Sequence, residues 1–297
     1  MNELEQLIGE ELARPVDPRV SEMAAAIAAA HPGAARAILF YGSCLREQQL
    51  DGLMLDFYLI VDDYRSAYDK RWLASANRLI PPNVFPFTWH DLSAKYAVLS
   101  GTDFAHECSP LAGSVSVFAR FAQPARLVWA NDEAARGFAV ACVEMAVTTL
   151  LRLTRAAMTD EDATDPLAVW RTAFTHTYGA ELRAERSSRS SALIDTDPER
   201  YARLADAAGL AEWSGVGPGT RKAARRQWRQ LSRRGKMLSI LRLMKASFTF
   251  ANGIDYLAWK INRHAGTEII LKPWQRRWPL LGAIILLPRL LARGAIR

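Results

Sequence analysis

Residues 36–63 read RAILFYGSCLREQQLDGLMLDFYLIVDD, and this stretch decides the fold. It predicts an apolar strand, a Gly-Ser turn, a short helical or looped segment and a second apolar strand. Side chains in residues 53–61 alternate between two faces, so that Asp56 shares its face with Tyr58 and lies opposite Phe57. Burying a lone carboxylate among such neighbours is costly unless a metal or a hydrogen-bond donor compensates it.

The residue types of this stretch match the requirements of nucleotide chemistry. Gly42 and Ser43 follow the first strand, and a Gly-Ser turn offers backbone N–H groups and a hydroxyl to phosphate oxygens. A carboxylate on the neighbouring strand holds the Mg²⁺ that accompanies a nucleotide, and Asp56 is the candidate. A second interpretation stays open, in which Asp56 marks a strand end or a bulge and caps a nearby loop.

A nucleotidyltransferase usually carries two acids two residues apart, and here Met54 occupies the partner position of Asp56. Asp62 points to the same face but lies six residues further on, roughly 20 Å along a strand, which is too far to share one ion. A second metal ligand must therefore come from Asp51, from a distant acid or from the substrate phosphates.

Four pieces of sequence, the first of them within residues 36–63, follow a known family in the same order. They are YGSCLREQQ with LMLDFYLIVDD (41–63), KYAVLSGTDF (95–104), SVSVFARFAQPARLV (114–128) and TYGAELRAE (177–185). These segments resemble the Tam41-type phosphatidate cytidylyltransferases of mitochondria. The resemblance covers about residues 36–186, and the common order makes it more specific than any one segment.

The resemblance implies a set of site residues. The nucleotide-binding residues would be Tyr41, Gly42, Ser43, Asn77, Lys95, Tyr96 and Arg120, with Asp56, Ser43 and Lys95 catalytic and Asp56 also the ligand of Mg²⁺. Lys95 and Arg120 lie in segments that match the family, and their positive charge would neutralise the β- and γ-phosphates of a triphosphate.

The resemblance also implies an α+β fold and a reaction. Residues 1–132 would form a nucleotidyltransferase-like mixed sheet flanked by helices, and residues 133–215 a helical, winged-helix-like domain. The reaction would transfer CMP from CTP to phosphatidic acid, giving CDP-diacylglycerol and pyrophosphate.

A GVGPG break at residues 215–219 separates these two domains from a basic amphipathic C-terminal region, residues 216–297.

Charge is distributed unevenly along the chain. Residues 221–297 hold 18 Lys and Arg against two acids, whereas residues 1–220 hold 20 basic and 29 acidic residues. A basic segment predicts a polyanionic partner.

The apolar residues of this segment indicate which partner it is. They recur between the charges, and Trp274 and Trp278 stand beside arginines, a composition typical of the membrane interface. We therefore expect an anionic membrane surface as the partner, and nucleic acid is the less favoured one because no nucleic-acid-binding motif accompanies the charge. A C-terminal helical hairpin packed on the protein's own core is the alternative.

The acidic N-terminus resembles neither a secretory signal nor a mitochondrial presequence, and three scattered cysteines are typical of a reducing compartment. We expect a cytoplasmic enzyme, peripheral on the inner face of the cell membrane. Two other functions remain open. One is a soluble nucleotidyltransferase acting on RNA or protein, and the other is a non-enzymatic nucleotide-binding relative.

Overall fold

The computed structural model describes residues 2–47, 50, 52–163, 165–180, 189–213 and 217–249. Side chains are described for all of these residues except 46, 47, 189–192, 218, 243, 244 and 246–249.

The centre of the fold is a five-stranded mixed sheet. Its strands are β1 (Ala35–Tyr41), β2 (Met54–Val61), β3 (Asn83–Trp89), β4 (Leu92–Ser100) and β5 (Ala125–Ala130). They lie in the order β3-β4-β2-β1-β5. The β2–β4 pair is parallel, and the other three neighbouring pairs are antiparallel. The α+β class with a mixed sheet flanked by helices is thereby confirmed.

Helices precede, connect and follow the strands. They are α1 (Glu3–Leu12), α2 (Pro18–Ala29), α3 (Ser43–Glu47), α4 (Tyr64–Ala67), α5 (Arg71–Leu79), α6 (Gly101–Cys108), α7 (Phe118–Phe121), α8 (Glu133–Ala157), α9 (Pro166–Ala180), α10 (Arg189–Thr196), α11 (Pro198–Ala207) and α12 (Pro218–Thr249). A short 3₁₀ turn, Leu210–Glu212, lies between the last two.

The two faces of the sheet bury different apolar clusters, as the alternation in β2 predicts. Tyr58 and Ile60 belong to the cluster shared with α1, α6, α7 and α8. Leu55, Phe57 and Leu59 belong to the opposite cluster, shared with α2, α4 and α5. Because side chains alternate strictly along an extended strand, Asp56 lies on the Tyr58 face.

The helices after β5 continue the cluster of the Tyr58 face. α8 begins directly after its capping residue Asp132, so the expected domain boundary coincides with a helix start. The same apolar cluster nevertheless runs from the sheet through α8 and α9 to Leu231 of α12. Among the described residues after β5 we find helices and no strand.

α8 is the one helix of the described chain that is long and apolar enough to span a membrane, judged by length and composition alone. Half of its most apolar window is buried inside the protein, which also fits the core helix of a folded domain. α8 packs against α1, α7, α9 and α12, so it is buried on several sides.

The basic C-terminal region begins as one long helix, α12, which packs on the body of the protein. Trp228 and Leu231 are buried, and Arg221 and Arg225 each donate at 2.9 Å to a carbonyl oxygen at the end of α8. The described part of this helix combines a packed side with an exposed basic side. Residues 250–297, including both tryptophans of the predicted interfacial segment, lie outside the described residues.

Candidate functional site

An ion pair between neighbouring strands marks the centre of the candidate site. The parallel register of β2 and β4 sets Asp56 opposite Lys95. Directly opposed residues project to the same face, and Lys95 Nζ lies 3.1 Å from Asp56 Oδ1. The Lys95 and Asp56 side chains are 32% and 20% exposed, so the pair is open to solvent on one side. The cation and the carboxylate can therefore both reach a ligand.

The Gly-Ser turn lies directly against the Asp56 carboxylate. Tyr41, the last residue of β1, is paired with Asp56, and Gly42 follows with φ +99°. A Cβ added to Gly42 would lie 3.1 Å from Asp56 Oδ2. Glycine is required here for two reasons, because L-residues avoid this φ and because the carboxylate occupies the space of a side chain. Ser43 then begins α3.

Arg120 covers the same face of the sheet from α7. Its guanidinium carbon lies 5.2 Å from the ring centroid of Tyr41 and 5.8 Å from that of Tyr58, which are cation–π distances. Its Nη1 donates to the carbonyl oxygen of Ser116 at 2.8 Å. Arg120 is thus positioned over the strand residues that flank Asp56, and it is half-buried.

Five predicted site residues therefore share one region of the sheet with Asp56. They are Tyr41, Gly42, Ser43, Lys95 and Arg120. Backbone N–H groups, a hydroxyl and two cations beside one carboxylate form a donor set suited to phosphate oxygens.

Two predicted site residues, Asn77 and Tyr96, lie apart from this region. The Tyr96 side chain projects to the opposite face from Lys95, where its hydroxyl lies 3.1 Å from Nε2 of His31. Asn77 is fully buried, and its Nδ2 donates to the hydroxyl of Tyr68 at 3.1 Å and to the carbonyl of Val98 at 2.9 Å. The Tyr96 side chain and Asn77 stabilise the packing of this face and do not reach the Asp56 region.

α12 contributes Arg242, which approaches the site through Ser116, and Lys245, which contacts residues 80 and 82. Arg242 Nη1 donates to Ser116 Oγ at 2.5 Å, so Ser116 joins Arg242 to Arg120. Lys245 Nζ donates to the carbonyl oxygens of Ile80 and of Pro82, the latter at 2.7 Å. Burial, followed by the charge of Arg242, lowers the pKa of Lys245 to about 7. Their alternation with apolar residues was visible in the sequence, but nothing local indicated the contact with residues 80–82 and Ser116.

Asp62 does not join the site, as expected from its distance along the strand. Its Oδ1 lies 3.3 Å from Nε of Arg36, and the side chain is 57% exposed. Within the described ranges no group of three or more His, Cys, Asp or Glu forms a metal cage. One carboxylate is still sufficient for Mg²⁺ when nucleotide phosphates and water supply the other ligands, so the partly exposed oxygens of Asp56 fit that ion. Asp51, the other nearby candidate ligand, lies outside the described residues, as do residues 181–188.

A scan against models of protein families finds no match to this chain, and a search of curated proteins finds none either.

Proposed function

We propose that this protein is a nucleotidyltransferase that transfers CMP from CTP to phosphatidic acid, with CDP-diacylglycerol and pyrophosphate as products. The convergence of Gly42, Asp56, Lys95 and Arg120 on one end of one sheet face carries the proposal. The resemblance of residues 36–186 to the mitochondrial phosphatidate cytidylyltransferases supports the choice of nucleotide and acceptor, with the sheet taken as nucleotidyltransferase-like and the following helices as winged-helix-like.

The residues of the site divide the work of phosphoryl transfer. The Gly42–Ser43 turn approaches the triphosphate with its backbone N–H groups and the Ser43 hydroxyl. Lys95 and Arg120 neutralise the β- and γ-phosphates and so stabilise pyrophosphate as it leaves. Asp56 would hold Mg²⁺, which when bound supplies charge neutralisation between the phosphate oxygens.

The acceptor needs little activation by the protein. A phosphate monoester oxygen of phosphatidic acid forms a bond to the α-phosphorus of CTP, and the bond from that phosphorus to the oxygen that bridges the α- and β-phosphates breaks, so that the β- and γ-phosphates leave as pyrophosphate. Such an oxygen is already ionised near neutral pH, so no strong general base is required. Catalysis then consists of positioning and charge neutralisation.

The acceptor is a membrane lipid, which agrees with the basic region in residues 221–297. We infer an enzyme bound peripherally to the cytoplasmic face of an anionic membrane, with the exposed side of α12 contributing positive charge.

Pyrophosphate release by the purified protein tests this function. Each of the four nucleoside triphosphates is supplied with Mg²⁺, with and without vesicles that contain phosphatidic acid. We expect release to require both CTP and phosphatidic acid, and to fall roughly a hundredfold or more in Asp56→Asn. Asp62→Asn is the matched control because that exposed acid pairs with Arg36 outside the site, and it should keep wild-type release.

Other outcomes would select the competing functions. Release that needs RNA or a protein in place of phosphatidic acid would establish a different acceptor. Nucleotide binding without release under any condition would indicate a non-enzymatic relative. An equal loss of pyrophosphate release in Asp56→Asn and Asp62→Asn would contradict the assigned role of Asp56.

A further inference from the structure

The outer side of α5 presents large apolar side chains to solvent. Trp72 is 49% exposed and Leu79 is 79% exposed, whereas Ala74 and Asn77 are buried against the sheet. Trp72 and Leu79 are seven residues apart, which is two helical turns, so they lie on the same side of α5. We call Trp72, Leu79 and the exposed arginines Arg71 and Arg78 the α5 patch.

The α5 patch has the composition of a membrane-interface surface. α5 contains two arginines and no acidic residue. Tryptophan and leucine insert at the boundary between headgroups and acyl chains, while arginine extends its guanidinium to the phosphates. Two large side chains form too small a patch for a stable protein–protein interface, which buries roughly 800 Å² on each partner. Charge and size together favour an anionic bilayer as the occupant.

The position of the patch relates it to the candidate site. Leu79 is followed by Ile80 and Pro81, whose carbonyl oxygens accept hydrogen bonds from Lys245 and Arg242. Arg242 also donates to Ser116, which accepts from Arg120 over the site. One chain of direct contacts thus links the end of the α5 patch to the site.

α12 adds basic and apolar groups of its own. Met237 is 56% exposed, and its neighbours Arg233, Arg234 and Lys236 are exposed as well. The attraction of a polybasic surface to anionic lipid is worth about 1 kcal/mol for each Lys or Arg near the surface. The basic surface of α12 therefore strengthens the preference for an anionic occupant.

We propose that the α5 patch is a second membrane contact, separate from the basic C-terminal region, and that it docks on an anionic lipid bilayer. The purpose assigned to it, holding the protein at the membrane that contains the lipid substrate, rests on the proposed function. The docking itself does not, because it concerns binding alone.

Vesicle co-sedimentation without nucleotide tests the docking. The full chain is mixed with vesicles of phosphatidylcholine alone or of phosphatidylcholine with phosphatidylglycerol, which is anionic but is not the proposed substrate. We expect the wild type to bind the anionic vesicles, and the double variant Trp72→Ser/Leu79→Ser to bind them about tenfold more weakly. Met145→Ser is the matched control, since Met145 is 38% exposed on α8, and it should bind like the wild type. Arg71→Gln/Arg78→Gln should reduce the preference for anionic over neutral vesicles.

Each result bears on the docking separately from catalysis. Unchanged binding by Trp72→Ser/Leu79→Ser, or an equal loss of binding in Met145→Ser, would overturn the assignment to α5. Failure of the wild type to bind anionic vesicles would also overturn the assignment. So would the finding that the wild type binds RNA or a second copy of the chain and that Trp72→Ser/Leu79→Ser abolishes this binding. Pyrophosphate release on a short-chain, water-soluble phosphatidate measures the proposed function independently. The α5 variant should retain that release, and its unfolding temperature reports whether it is folded.

Discussion

At the scale of single residues, Gly42 has the most restrictive environment in the candidate site. Its φ of +99° is unfavourable for any other L-residue, and an added Cβ would press on Asp56 Oδ2. Gly33 has a similar φ of +72°, but nothing lies within 4 Å of an added Cβ there. Alanine substitutions at the two glycines can therefore distinguish the effect of backbone strain, which both share, from displacement of the Asp56 carboxylate, which only Gly42 causes.

We predict that Gly42→Ala and Gly33→Ala each lower the free energy of unfolding by about 1–2 kcal/mol, the cost of a left-handed backbone with a Cβ. Only Gly42→Ala should also reduce pyrophosphate release, by at least about tenfold, because the methyl group moves the Asp56 carboxylate. Urea unfolding and the release assay measure the two effects. Equal release in the two variants would show that the space beside Asp56 is not needed.

His31 gives a pH dependence to stability on the opposite face of the sheet. Its Nδ1 lies 2.9 Å from the carbonyl oxygen of Ala67, and burial lowers its pKa below the ordinary 6.5. Just below pH 6.5 His31 is therefore protonated in the unfolded chain but still neutral in the folded chain. The free energy of unfolding consequently falls as the pH falls through this range.

We predict that His31→Asn is less stable than the wild type at about pH 8 and that the difference narrows at about pH 5, because only the wild type loses the His31 contribution. Urea unfolding at both values measures it. His106→Asn, at an exposed position, is the control and should follow the wild type at both. A constant difference between His31→Asn and the wild type would contradict the argument.

At the scale of elements, the crossing of α9 and α12 depends on a glycine. A Cβ added to Gly235 would overlap the carbonyl oxygen of Ala180 at the end of α9. A backbone atom cannot rotate away as a side chain does, so the two helices would have to separate. Gly137 lies in α8 with no atom within 4 Å of an added Cβ.

We predict that Gly235→Ala lowers the free energy of unfolding by about 1–3 kcal/mol through overpacking. Gly137→Ala should raise it by up to about 1 kcal/mol, because alanine is the better helix former. Thermal and urea unfolding of both variants provide the comparison. A stabilised Gly235→Ala would mean that the helices separate at little cost.

At the scale of the whole molecule, a buried ion pair joins the N-terminal helix α1 to α11. Arg200 of α11 and Glu11 of α1 are 9% and 5% exposed, and Arg200 Nη2 donates to Glu11 Oε1 at 3.0 Å. Arg200 Nη1 also donates to the carbonyl oxygen of Ala122, at 3.3 Å. Segments far apart in sequence are thereby joined beside the continuous apolar cluster.

We predict that Arg200→Met destabilises the protein by about 3–5 kcal/mol because it leaves the Glu11 carboxylate buried without its partner. The double variant Glu11→Leu/Arg200→Met should recover part of that loss, since no buried charge then remains. Urea unfolding is expected to show one transition for all three proteins, given the shared core. Two transitions would instead support independent domains at residue 132, and a double variant no more stable than Arg200→Met would contradict the desolvation argument.

Much of the local structure follows from the sequence. The alternation in β2 correctly places Asp56 and Tyr58 on one face, because strand geometry depends only on neighbouring residues. The start of α11 also follows from local sequence, since Asp197 caps the helix and Pro198 occupies its first turn. The GVGPG break and the basic charge of the residues after it are visible in the sequence as well.

The same kind of reasoning fails where a side chain's partner lies far along the chain. Asn77 and Tyr96 occur in or near segments that match a nucleotide-binding family, yet both side chains satisfy their polar groups in the packing of the opposite face. Arg242, distant in sequence, approaches the site through Ser116.

By itself the sequence determined the face of Asp56, the Gly-Ser turn and the basic charge of the C-terminal region, because each depends on residues a few positions apart. Only the tertiary structure decided that β2 pairs in parallel with β4, and this register brings Lys95 to Asp56. It also decided that α12 packs across to Pro81 and Ser116. Strand pairing and helix docking are chosen by the burial of the whole apolar surface, which no local pattern contains.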